Sequence, residues 1–302
     1  MTRTNKRWKK VDRGGTMGLC RYEVDACLRT LIRAARARGQ SSTERDLSDA
    51  GDQSRPFVHE TRYYKSLHFG ASETQSRMLK RDPYALVVDY TRTMMGFLTF
   101  NPVPNRIAMI GLGGGSLAKF CYRELPRTQI DVVEINPYVV ALRDDFFVPS
   151  DGDRFRIHLG DGTHFIGKAH RQFDVLLLDA YTRTGLPPRL GSAAFYRGCR
   201  RTLCDNGIMV LNLYCKDSDE HLDRLRAIFH GEVFVVDEVD GTNRVVFACN
   251  GNFLASDTST VAPTLRHTAG ELLRPELSRV RSAVREQLGA ATIELGSHAA
   301  PR

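Results

Sequence analysis

Between Arg106 and Asp179 four apolar runs each end in a glycine-rich turn or an acid. RIAMI leads into Gly111–Gly115, DVV into Glu134, FRIHL into Asp161 and FDVLLL into Asp179. Each run has the length and the aliphatic, β-branched content of a buried strand, and helical spacing follows most of them. That alternation predicts a mostly parallel α/β sheet. Ligands of such sheets bind at the carboxyl ends of the strands. One flexible loop and three acids therefore reach the same edge, the layout of a nucleotide-type site. A single glycine turn would constrain little; four strand ends over 74 residues constrain a great deal.

The alternation continues past Asp179. A helix is expected over Ser192–Leu203, a strand over Gly207–Leu213 and a helix over Asp219–Phe229. Two strands, Glu232–Val239 and Arg244–Asn250, then flank Asp240-Gly241-Thr242-Asn243, a hairpin signal. A hairpin at this point places one antiparallel strand in the sheet, where a plain dinucleotide fold would add another crossover helix. Upstream, Phe57–Val88 is aromatic and β-branched with turn residues between its runs, so it reads as a small antiparallel β-unit. Asp89–Phe100 has helical spacing. The chain thus divides into residues 1–54, a basic, disordered extension with a short helix near Tyr22–Arg38; 55–100, the β-rich unit and linking helix; 101–252, the α/β domain; and 253–302, a linker and an amphipathic helix over about Thr264–Leu288.

The net charge of +8 is unevenly spread. Residues 1–54 hold 12 Lys/Arg against 7 Asp/Glu, whereas 55–251 hold 25 against 23. The basicity belongs to the extension, which reads as a solvated tail; no nucleic-acid partner is expected. No apolar run is long enough to span a membrane, and no apolar stretch follows the basic start as a secretory signal requires. The seven cysteines form no C-x-x-C pair, which suits reduced thiols in the cytoplasm and predicts neither a disulfide framework nor a metal site.

The strand ends carry specific chemistry. Gly111, Gly113 and Gly115 let the backbone turn sharply and approach a ligand, with helix N–H groups facing it. Against G-x-G-x-x-G/A, the sixth place is Ser116, so the dinucleotide pattern is incomplete. Glu134, 23 residues after Gly111, stands where an acid accepts both ribose hydroxyls. Asp161, in Gly160-Asp161-Gly162, can accept from an adenine amino group or cap a turn. Asp179 emerges from a buried run where a reacting group would sit.

GLGGGSL, VVEIN, GDG, FDVLLLDAY and AFYRGCRRTLCDNGIMVLNL together resemble the spermidine/spermine synthases, the polyamine aminopropyltransferases, over roughly Val58–Asn250. These are relatives of the class I S-adenosylmethionine-dependent methyltransferases, so the resemblance implies a Rossmann-like catalytic domain after a small β-rich unit. It implies that decarboxylated S-adenosylmethionine is the co-substrate and a small amine the acceptor, with a homodimer left open. Gly111, Gly113 and Gly115 would cradle the methionine-derived part, Glu134 the ribose, and Asp161 with Gly162 the adenine. Gln75 falls at the family's glutamine in the β-unit, and Asp179 at the acid that helps deprotonate the amine. The sequence departs from the family at two places. Thr182 stands where a second aspartate is usual, and Tyr90–Met95 supplies Arg92 and Met94 in place of a tyrosine and a glutamate. Two other readings therefore stay open: a methyltransferase using S-adenosylmethionine itself, with Arg92 against its carboxylate, and a non-catalytic nucleoside-binding homologue.

Overall fold

The computed structural model describes residues 16–17, 55–70, 74–182, 185–238, 241, 243–253, 265 and 267–297. The helix expected near Tyr22–Arg38 lies outside them. Among them, no helix is long and apolar enough to cross a membrane.

Four antiparallel strands form a small sheet: β1 (Thr16–Met17), β2 (Phe57–Glu60), β3 (Tyr64–His68) and β4 (Thr74–Leu79), in that spatial order. The first of these lies within the stretch read as an extension, where Thr16 and Met17 pair with His59 and Val58. A linking helix, α1 (Asp89–Met94), tightens into a 3-10 turn over Met95–Thr99. Then come β5 (Arg106–Ile110), α2 (Ser116–Glu124), β6 (Gln129–Glu134), α3 (Pro137–Ala141), β7 (Phe155–Leu159), α4 (Gly162–Lys168) and β8 (Phe173–Leu178). After these follow α5 (Ala193–Thr202), β9 (Leu203–Leu213), α6 (Ser218–Ile228), β10 (Val233–Asp237), β11 (Arg244–Asn250) and α7 (His267–Ser297).

The large sheet has seven strands in the order β10-β11-β9-β8-β5-β6-β7. Only β11 runs against the others, paired antiparallel to both β9 and β10. From β5 the chain winds outward to β7, then returns to β8 on the other side of β5. The point where the winding reverses lies between β5 and β8, where an open parallel sheet leaves a crevice at its carboxyl edge. Ile110 is in register with Leu178 there, so the next residues, Gly111 and Asp179, emerge side by side.

Both faces of the sheet are covered, which explains the unbroken apolar strands. Ile107 and Met109 of β5 and Val175 and Leu177 of β8 face one core layer; Ala108, Ile110, Leu176 and Leu178 face the other. Burying each large side chain contributes about 1.5–3 kcal/mol. The helices start where their sequences provide caps. Asn136 accepts from Tyr138 N with Pro137 in the first turn of α3, Asp161 accepts from Thr163 N before α4, and Ser192 accepts from Phe195 N before α5.

Two elements are longer than the periodicity predicts. Strand β9 begins at Leu203, not Gly207, because Leu203 pairs with Phe173 before a register shift. Helix α7 runs to Ser297 and passes through Pro275. An interior proline costs about 3 kcal/mol, offset here by contacts: Leu273, Val280 and Val284 join the core under β10 and the 3-10 turn, and Arg279 binds Thr93 of α1 and Asp237 and Glu238 at the end of β10.

Candidate active site

A cavity of about 1530 Å³ opens at the carboxyl edge of the large sheet and is walled on one side by β4. Gln75, Gly111, Gly113, Glu134, Asp161, Gly162 and Asp179 all line it. The fold thus brings these sequence-predicted residues together. Gly115 alone stands behind the surface. Its φ of 69° forms the left-handed entry to α2, and an added Cβ would lie 2.4 Å from Val148.

Gly111 shows why the loop begins with glycine. Its φ is 97°, a region closed to most residues, and a Cβ would sit 2.1 Å from the carbonyl oxygen of Asp179. The loop is drawn in further by Glu134, whose Oε2 accepts from Leu112 N at 2.9 Å and whose Oε1 accepts from Asn136 N at 2.8 Å. These bonds orient a carboxylate that is only 8% exposed. Burial raises its pKa, while the backbone donors oppose the shift.

Asp161 shares its oxygens between two tasks. Oδ1 accepts from the backbone N and hydroxyl of Thr163 at 2.7 and 2.8 Å, capping α4. Oδ2 faces Arg189 at 3.5 Å. The capping role foreseen for this residue is thus present, and one oxygen still borders the cavity.

Asp179 is gripped at both oxygens. Tyr90 donates its hydroxyl to Oδ2 and Asn212 its amide to Oδ1, each at 3.0 Å. Asn212 is itself held: its Oδ1 accepts from Asn243 at 2.7 Å, and its backbone carbonyl accepts from the Tyr181 hydroxyl at 2.7 Å. Burial raises the Asp179 pKa, with Asn212 and then Tyr90 pulling it down. Tyr90 is pushed well above its ordinary value by burial and by the adjacent carboxylate, so it remains a hydrogen-bond donor at neutral pH. The outcome is a partly desolvated carboxylate, fixed in direction and more basic than one in water, which suits it to take a proton.

Asn212 and Asn243 were not singled out by the sequence reading, and Tyr90 and Tyr181 entered it only as members of motifs. For Asn212 a signal existed: it is the one polar residue in the run IMVLNL, at a strand end. Asn243 had none, since its place depends on how the β10–β11 hairpin lies along β9. The two departures behave differently. Thr182 lines the cavity, its hydroxyl donating to Gly185 O at 3.0 Å. Arg92 does not line it; its guanidinium donates to Leu86 O at 2.9 Å and Val87 O at 3.3 Å and pairs with Asp89.

Residues 88–226 match the spermine/spermidine synthase domain. A polyamine aminopropyltransferase of Chromobacterium violaceum is 36% identical over 211 residues, spanning 69% of this chain and 79% of that protein. Among solved structures, human methyltransferase-like protein 13 in complex with SAH is 26% identical, with a TM-score of 0.50 over 64% of this chain and 92% of that one. A probable spermidine synthase from Corynebacterium glutamicum shares the fold with a TM-score of 0.56 at 18% identity, over 65% of this chain and 76% of that one.

Proposed function

This chain belongs to the spermine/spermidine synthase family, and from that premise we propose that it transfers an aminopropyl group from decarboxylated S-adenosylmethionine to a small amine, with Asp179 as the amine-orienting base. The observation that carries the reading is the fixed, half-buried Asp179 carboxylate at the switch point, in one cavity with the glycine loop, Glu134 and Asp161. In this reading the glycine loop holds the methionine-derived part, Glu134 the ribose hydroxyls, Asp161 and Gly162 the adenine, and Gln75 closes the donor from the β-unit.

The chemistry balances with these groups. An alkylamine has a pKa near 10, so at neutral pH it is an ammonium without a lone pair to attack. Asp179 binds the ammonium, accepts its proton and aligns the nitrogen with the carbon bonded to the sulfonium. The new C–N bond forms as the C–S bond breaks, and the electron pair of that bond goes to sulfur. A neutral thioether leaves, so no general acid is needed.

The placement of Arg92 supports the decarboxylated donor. A methyltransferase reading would gain from a guanidinium against the carboxylate of S-adenosylmethionine, but Arg92 is occupied by carbonyls and Asp89 outside the cavity lining. The five described cysteines are free thiols, which suits the cytoplasm as the place of action. Calorimetric titration with decarboxylated S-adenosylmethionine, S-adenosylmethionine and methylthioadenosine tests the donor, followed by a transfer assay with diamines. Binding of the decarboxylated form and of methylthioadenosine is expected. Tight binding of the carboxylated form alone would overturn the reading.

A further inference from the structure

Beyond the tip of β9 the chain runs Tyr214-Cys215-Lys216-Asp217 into α6, whose first turn carries His221. Cys215, Asp217 and His221 line the same cavity as the transferase residues but take no part in the reaction derived above. One donor atom from each lies within 4.8 Å of the other two. We infer that these three side chains form a binding site for a zinc ion, with the fourth coordination position open to the cavity. No paired-cysteine motif announces it, because C-x-D-x3-H becomes a cluster only when the strand end turns into the helix.

The donor set suits zinc. A thiolate, an imidazole and a carboxylate are its common protein ligands, and one thiolate and one carboxylate neutralise a dication. Bonds of about 2.0–2.3 Å in a tetrahedron put neighbouring donor atoms roughly 3.3–3.7 Å apart. His221 Nε2 and Asp217 Oδ2 are 3.5 Å apart. Asp217 is half exposed, so its carboxylate can adjust without backbone movement.

The imidazole is held as a zinc ligand's usually is. His221 is 6% exposed, and its Nδ1 lies 2.8 Å from the hydroxyl of Tyr196, which is wholly buried. With the Nδ1 proton on that bond, the Nε2 lone pair points at Asp217 and Cys215, the outer-shell arrangement that fixes a metal-binding tautomer. Gly191 packs against the ring corner between the two nitrogens, where a Cβ would be 2.3 Å from His221 Cε1. Burial lowers the His221 pKa, keeping the ring neutral, and the nearby Arg224 is engaged by Glu220 at 2.8 Å. Ligation by Cys215 is ligation by its thiolate, so zinc uptake releases the thiol proton.

The test uses the full chain, freed of metal with a chelator and desalted. Zinc chloride is titrated calorimetrically, and cobalt(II) is followed by absorbance. Stoichiometric uptake is expected, with the tetrahedral cobalt spectrum and a thiolate-to-metal charge-transfer band. Cys215→Ser and Asp217→Asn should lose both, while Cys204→Ser, at the opposite end of β9, should keep both. Tyr196→Phe should weaken zinc about 10- to 100-fold. Absence of stoichiometric uptake, or uptake and a thiolate band that survive Cys215→Ser and Asp217→Asn, overturns the proposal. Two of these variants change partly exposed side chains, so the result does not depend on tolerating a change at buried His221. The outcome is independent of which donor the transferase site binds.

Discussion

Tyr90 donates its hydroxyl to Oδ2 of Asp179 at 3.0 Å, across 89 positions of sequence. The bond joins the linking helix α1 to the carboxyl tip of β8, so the proposed base is oriented by a residue that precedes the first strand of the large sheet.

A pH prediction follows from the charges on this pair. Burial raises the pKa of Asp179, whereas the bonds from Asn212 and Tyr90 lower it. If the ionised form is the base, turnover falls as pH drops through that raised value. Tyr90→Phe removes one of the lowering donors, so the acidic limb of its kcat/KM profile should move to higher pH. Asp179→Asn should reduce kcat by about 10²–10⁴-fold at every pH, with methylthioadenosine binding retained. Superimposable profiles for Tyr90→Phe and the native enzyme would contradict this account.

Thr182 lines the cavity where the family usually has a second acid. Thr182→Asp should raise kcat/KM for a diamine by about 10-fold, the worth of one charge-assisted hydrogen bond, and leave a monoamine little changed. Parallel kinetics with diamines and monoamines of matched length read the difference directly. Equal gains for both would show that position 182 does not meet the remote ammonium.

Glu134 offers a linkage test with a definite sign. Burial holds its folded pKa above the ordinary carboxylate range, so the native state holds that proton more tightly than the unfolded chain. The stabilisation from this group is full below about the unfolded value and is lost as pH rises through the folded one. Glu134→Gln carries no such dependence. Urea denaturation should therefore show the variant gaining on the native protein as pH rises through that window. Its affinity for methylthioadenosine should nevertheless fall about 10- to 100-fold, because hydrogen bonds from the ribose hydroxyls to a charged acceptor contribute roughly 1.5–3 kcal/mol.

Arg279 of α7 donates to Thr93 at 2.7 Å, to Asp237 O at 2.8 Å and to Glu238 at 3.2 Å. Glu238 is buried and Thr93 fully so, but the guanidinium is 30% exposed, so solvent screens part of the loss. Arg279→Ala should destabilise the protein by on the order of 1–3 kcal/mol, measured by urea unfolding. Arg279→Lys should restore only part of it, since an ammonium cannot reach three directions in one plane. Full stability of Arg279→Ala would show that the apolar contacts of Leu273 and Val280 hold the helix unaided.

The strand ends were legible because each obeys a local rule. Gly111, Glu134, Asp161 and Asp179 follow apolar runs whose period and length mark buried strands, and a parallel sheet sends all such ends to one edge. The hairpin at Gly241 likewise foretold the single antiparallel strand, β11. What stayed hidden depends on contacts between distant segments. Tyr90 reaches Asp179 from α1, Asn243 just before β11 reaches Asn212 on the neighbouring β9, and no periodicity encodes either meeting. Arg92 shows the converse: its residue type suggested a ligand contact, yet the nearby carbonyls of Leu86 and Val87 claim it first.

The close fit of Gly111 against the carbonyl of Asp179 has a further consequence. The donor loop and the tip of β8 touch through backbone atoms, with no side chain between them to be lengthened or trimmed. The spacing between where a sulfonium would rest and where an amine would arrive is thus set by the main chain, as by a fixed gauge. Selection can exchange the groups mounted on that gauge, such as the residue at position 182, and so change which molecule is received. Altering the interval itself would require rebuilding the two central strands of the sheet.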